Sequence, residues 1–148
     1  MGSKPVSAVF EIENETEEAY LYYLTTGHGG HEGGDEFVKR VNVISLNNRV
    51  VDEFTPWRDD CASLRRFNPH AGVWTETTEW KGEQIEERIA SSDYSRSGWC
   101  PGDKVSPRII RLGKLKKGVH ELKILVKDAQ NTRGSAFNFW NISAYLVH

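Results

Sequence analysis

Apolar and polar residues alternate along most of this chain with the period of two that marks a strand, and no long stretch carries the period of an amphipathic helix. Ala8, Phe10 and Ile12 alternate with Val9, Glu11 and Glu13, which predicts a half-buried strand. Tyr20, Tyr22 and Leu24 interleave with Leu21 and Tyr23 in a second strand that is apolar on both faces. Residues 37–46, the pair Asn47-Asn48 and residues 49–54 predict a hairpin, because asparagine tolerates the positive φ that a two-residue turn requires. Residues 109–112 form a short strand, with Gly113 and Gly118 bracketing a Lys-rich turn. His120, Leu122, Ile124 and Val126 then alternate with Glu121, Lys123, Leu125 and Lys127 in a one-sided strand. In the last segment Phe137 and Phe139 share one parity and Trp140, Ile142, Ala144 and Leu146 the other. That change of phase predicts a β-bulge.

Strands separated by connections of uneven length point to an all-β fold, an antiparallel jelly-roll β-sandwich of about eight strands. Two stretches do not read as strands. Residues 26–35 form a Gly-rich loop, and residues 56–107 form a long polar connection holding four of the five tryptophans and both cysteines. Within it, Gln84, Ile85, Arg88 and Ile89 sit at helical spacing and predict a short helix over 82–90. An irregular connection of this length is uncommon in a compact domain and is usually functional.

With 148 residues the chain has room for one domain, expected over 8–148. Residues 1–7 are expected to be a flexible, vector-derived leader without the apolar core of a secretory signal. Nineteen Lys and Arg against 21 Asp and Glu leave a net charge of −2, which argues against a nucleic-acid partner. No apolar run reaches the roughly 20 residues that span a bilayer, so no membrane partner is expected. Five Trp, five Tyr and six Phe suit pleated, half-buried surfaces. Cys61 and Cys100 lie in no CxxC spacing, so they are either two buried thiols or one disulfide. Their polar, loop-like surroundings favour the bridge, which in the chain-entropy model contributes about 4 kcal/mol and implies an exported protein.

Two constellations could carry chemistry. His28, His31, Glu32 and Asp35 are chemically able to hold a divalent metal, but a polar loop whose glycines supply positive φ explains the same residues, and no metal or cofactor is expected. Glu36 follows the loop directly, and Arg40, four residues on along the expected strand, shares its face and would keep its carboxylate ionised. If the cysteines are bridged, Trp57, Arg58, Arg96 and Trp99 are drawn together. Indole faces stack on sugars, and arginine and aspartate supply hydroxyl hydrogen bonds, as in sites that are apolar with a few placed polar groups.

Gly27-His28-Gly29, then Asp35-Glu36-Phe37 with Arg40, then Ser95-Arg96-Ser97-Gly98-Trp99-Cys100-Pro101-Gly102, resemble the C-terminal jelly-roll domain of the peptide-N-glycosidase F family. That family cleaves the amide joining the innermost N-acetylglucosamine of an N-linked glycan to asparagine, at a site between two jelly-roll domains. The resemblance implies that Glu36 is a supporting catalytic carboxylate and Arg96 its companion. It also implies that Gly27, His28, Gly29, Asp35, Arg40, Trp57 and Trp99 bind the GlcNAc-Asn core, and that Cys61 and Cys100 form a disulfide. His28 stands where the family's loop carries tryptophan, and Gly34 and Val38 stand where a relative carries cysteines. The principal catalytic aspartate belongs to the other domain, so the resemblance implies a second jelly-roll domain as partner, no turnover by this chain alone, and a secreted or periplasmic location. A stand-alone carbohydrate-binding module is the alternative. The copper monooxygenases that amidate peptides share the paired architecture, but their His-x-His and internal methionine are absent here.

Overall fold

The computed structural model describes residues 4–29, 34–36, 38–58, 60, 63, 78–80, 83–85, 99, 103–130 and 138–148, and every absence stated below refers to these. They form nine strands: β1 (Val6–Ile12), β2 (Thr16–His28), β3 (Asn42–Leu46), β4 (Arg49–Phe54), β5 (Thr78–Trp80), β6 (Glu83–Ile85), β7 (Arg108–Leu115), β8 (Gly118–Val126) and β9 (Phe139–Val147). One sheet has the order β1-β8-β3-β4, the facing one β7-β2-β9, and β5 pairs with β6 alone. Every pairing is antiparallel. The fold is the expected all-β sandwich, and no helix among the described residues is long and apolar enough to cross a membrane.

The alternation along the chain is what closes the sandwich. On β2 the odd positions Ala19, Leu21 and Tyr23 are buried, and β8 buries His120, Leu122, Ile124 and Val126. Leu21, Tyr23 and Ile110 from one sheet meet Ile44, Leu122 and Ile124 from the other. Ile12, Ala19, Leu46 and Leu115 form a second cluster. Asn47 and Asn48 adopt φ of 51° and 64° in the predicted two-residue turn.

Three tight connections, 13–15, 47–48 and 116–117, lie at one end of the sandwich. His120 seals that end: it stacks on Phe10 at 5.5 Å and bridges Asn47 at 2.9 Å and the Lys116 carbonyl at 2.8 Å. The three long connections, 29–41, 55–107 and 127–138, all leave from the other end. A functional site on loops therefore has one place to form.

Several expectations are corrected. The strand expected over 37–46 begins only at Asn42, because Asp35 and Val38 close a turn instead, with Val38 N–H donating to the Asp35 carbonyl at 3.3 Å. Residues 26–28, expected in the Gly-rich loop, extend β2, since Thr26, Gly27 and His28 pair with Asn141, Trp140 and Phe139. The bulge expected in the last strand is absent from β9, which keeps one register from Phe139 to Val147. Phe139 lies on the outer face because its ring stacks on His28, 4.5 Å away, while Phe137 is outside the described residues. At 83–85 the expected short helix is a strand paired with 78–80, consistent with the marginal stability of an isolated helix so short. Gly113 is inside β7, at φ 75° and opposite a register shift at Ala19, not at the turn.

Tyr23 is the largest fully buried side chain, and its hydroxyl donates to Asn42 Oδ1 at 2.7 Å. Burial pushes its phenol up to about 12 from an ordinary value of 10. Because the folded state holds this proton more tightly, the associated stability is complete below pH 10 and lost as pH rises from 10 through 12. Denaturant unfolding across that range is expected to show a loss of about 2–3 kcal/mol that Tyr23→Phe lacks. At neutral pH the same variant is expected to be about 1–3 kcal/mol less stable, since it leaves Asn42 Oδ1 buried without its donor.

Candidate functional site

At the open end, Gly27 closes the inner face of β2 and the chain returns past it at Gly34-Asp35-Glu36. The approach is so close that a Cβ on Gly27 would lie 2.5 Å from the Asp35 carbonyl oxygen and 3.0 Å from the Trp140 ring. Only glycine fits there. Asp35 is completely buried. Its Oδ1 accepts from Arg40 Nε at 3.0 Å, and an Arg40 terminal nitrogen completes the ion pair at 3.0 Å. Its Oδ2 accepts from the Gln130 backbone N–H at 2.8 Å, the Trp140 indole N–H at 3.0 Å and the Asn138 amide at 3.3 Å. Its own N–H donates to Asn138 Oδ1 at 2.7 Å. The carboxylate thus accepts four hydrogen bonds, three of them on Oδ2, beside the Arg40 ion pair. The expectation that Asp35 and Arg40 touch a ligand therefore changes: Asp35 is sealed inside and Arg40 is turned onto it. The expected Glu36–Arg40 pairing gives way to this ion pair, because the strand that would have put those two on one face does not form. Glu36 itself is half-buried on the turn beside Asp35.

Trp140 continues into a row of rings. Its centroid is 5.8 Å from that of Trp99, with planes tilted by 35°, and Trp99 is 6.1 Å from Trp57, tilted by 45°. Lys39 Nζ lies 4.9 Å from the Trp57 ring centroid, a cation–π contact. The segment 34–41 thus touches both ends of the row, through Asp35 at Trp140 and through Lys39 at Trp57. All three indoles are half-buried.

Arg58 fastens the base of the long connection. Its Nε and Nη2 bind Asp60 at 2.8 and 2.7 Å, and its Nη1 binds Asp103 at 2.5 Å. These bonds hold the Asp60 carboxyl below its usual range and raise the Arg58 guanidinium above its own. Trp57 and Trp99 are brought together as expected, but the Arg58 nitrogens are spent on this clip. Cys61, Arg96 and Cys100 lie outside the described residues, as do His31 and Glu32 of the metal-capable set. His28, expected beside the ligand, faces the outer side of the sheet, bonded to Thr26 at 2.8 Å and stacked on Phe139. No group of three potential metal ligands occurs among the described residues. Sequence reasoning missed Trp140, whose parity assigned it to the core, and its bond to Asp35. No local signal links residues so far apart.

A family model described as "Peptide-N-glycosidase F, C terminal" matches residues 2–147. No curated protein matches the sequence. Among solved structures, PNGF-II is 40% identical with a TM-score of 0.67 over 95% of this chain. Recombinant PNGase F is 22% identical with a TM-score of 0.65, also over 95%. PNGase F from Flavobacterium meningosepticum, a glycosylasparaginase, is 21% identical with a TM-score of 0.60 over 95%. The chain spans 24% of PNGF-II and 42% of each PNGase F chain.

Gly27→Ala is expected to cost about 1–3 kcal/mol in chemical unfolding, because the added methyl meets backbone that cannot yield cheaply. It also presses on Trp140, so tryptophan fluorescence of the folded variant is expected to shift. Gly113→Ala meets nothing within 4 Å and is expected to carry only backbone strain of about 1–2 kcal/mol, with the tryptophan emission unchanged.

Proposed function

The chain belongs to the peptide-N-glycosidase F family as its C-terminal part, and we propose that it builds one wall of an N-glycan cleft in an amidase that a second jelly-roll domain completes. The observation that carries this reading is the placement of the Glu36 turn and the Trp57–Trp99–Trp140 row at the same end of the sandwich. Half-buried indoles beside a carboxylate offer stacking surface for the C–H faces of a sugar and an acceptor for its hydroxyls. The substrate is the GlcNAc-Asn core of a glycoprotein, and the reaction is hydrolysis of the side-chain amide. A carboxylate on the other domain activates water as general base, while Glu36 and Arg96 orient the core and stabilise developing charge. Cys61 and Cys100 are bridged in this reading, and the Arg58 clip supports it by joining Asp60, which precedes Cys61, to Asp103, three residues after Cys100. The protein then works outside the cytoplasm.

A binding module without catalysis is the second reading, favoured by one observation: this chain assembles the whole tryptophan row from its own residues. The purified chain is expected to release no glycan from a denatured glycoprotein, and release by the chain alone overturns the two-domain reading. Titration with a chitobiose-core glycan separates the rest. Binding without hydrolysis supports the module, and release only after fusion to the N-terminal part of a relative supports the amidase. In that fusion Glu36→Gln is expected to slow release by about 100-fold, the scale of a misplaced positioning group.

A further inference from the structure

We propose that Asp35 is a positioning residue, which sets Trp140 in the aromatic row and holds the Glu36 turn against it. The inference deepens the proposed glycan site and rests on it for the nature of the ligand. Asp35 has no exposed surface, and its carboxylate is engaged by four hydrogen bonds and the Arg40 ion pair, so a sugar hydroxyl has no surface of it to bind. What it does is join segments that the sheets leave unconnected. Arg40 comes from its own turn, Gln130 and Asn138 from the connection after β8, and Trp140 from the start of β9. Its carbonyl rests over Gly27 at the end of β2.

The bond to Trp140 is the informative one. An indole on the inner face of β9 must find an acceptor for its N–H, and this one gives it to a buried carboxylate and inclines its ring on Trp99. Fixing the N–H fixes the ring plane, and the tilt is relayed to Trp99 and Trp57. Lys39, four residues after Asp35, closes the far end of the row. A short turn therefore determines the orientation of three stacking surfaces and carries Glu36 between its two anchors.

The test needs no ligand, so it fails or holds apart from the amidase reading. Indoles this close couple and give an exciton couplet in circular dichroism at the strong short-wavelength indole band. Asp35→Asn is expected to lose the couplet and converge on the spectrum of Trp140→Phe, while the far-ultraviolet sheet signal and a cooperative melt persist. A merely structural aspartate would lower the melting temperature and leave the couplet of the folded protein intact, and that result overturns the proposal. Arg40→Gln decides the matter if Asp35→Asn does not fold. It frees Oδ1 and leaves the donors on Oδ2, so the couplet is expected to shrink and the Trp140 indole proton to exchange about tenfold faster. An unchanged couplet and exchange rate in that variant also overturn it.

Discussion

A buried carboxylate needs hydrogen-bond donors in place of water, and at Asp35 that requirement organises the open end of the molecule. Removing one partner from such a group leaves a charge in a medium that cannot solvate it, at a cost of several kcal/mol. The donors come from residues 40, 130, 138 and 140, so satisfying one side chain obliges the 29–41 and 127–138 connections to meet at the start of β9. The sheets alone would not do this. Their hydrogen bonds end at His28, Asn42, Val126 and Phe139, and beyond those points the backbone has to find other partners. Asp35 supplies several of them at once, and Arg58, through Asp60 and Asp103, does the corresponding work at the base of the long connection.

The two ends of the sandwich divide the labour. Tight turns and the His120 bridge close one end, where Ile12, Ala19, Leu46 and Leu115 pack. Every long connection leaves from the other end, which is where a rigid scaffold can present variable loops to a ligand. Surface charge follows a simpler logic. Lys114 reaches Glu15 and Glu17, Arg111 pairs with Glu18, and Lys127 pairs with Glu53, all exposed and each worth little to stability. Arg108 is placed more tightly, its guanidinium 4.2 Å from the Phe54 ring while it binds Asp52 at 2.5 Å, and so it joins the edges of the two sheets at β4 and β7.

What the sequence revealed and what it hid divide along the range of the forces involved. The alternation in 118–126 and the Asn47-Asn48 turn were legible because side-chain parity and positive φ are local properties. The hydrophobic two-sidedness of β2 was legible for the same reason, since its even positions are covered well enough to tolerate Tyr20, Tyr22 and Leu24. The start of β3 was not, because Val38 and Arg40 read as strand residues and only the distant donors of Asp35 turn them into a loop. The parity of Phe139 and Trp140 was read as a bulge, since nothing local shows that an outward Phe139 finds cover on His28. Of the site, the convergence of Trp57 and Trp99 was legible only through the expected Cys61–Cys100 bridge. The placement of Trp140 in the same row was not.

Trp140 shows why core and site cannot be separated in a domain of this size. Its position on β9, opposite Gly27, follows from the strand register, and the glycine is required because the ring and the Asp35 carbonyl both crowd that point. The same register directs the indole N–H at Asp35 and leaves the ring inclined on Trp99. A ring held this way loses little further freedom when something stacks on it, so the ordering cost of binding is met when the protein folds. The Arg58 clip holds the backbone next to Trp57, at the other end of the row. Both anchors rest on carboxylates paired with arginine, Asp35 with Arg40 and Asp60 and Asp103 with Arg58, at the end of the sandwich that also carries the indole row and the Glu36 turn.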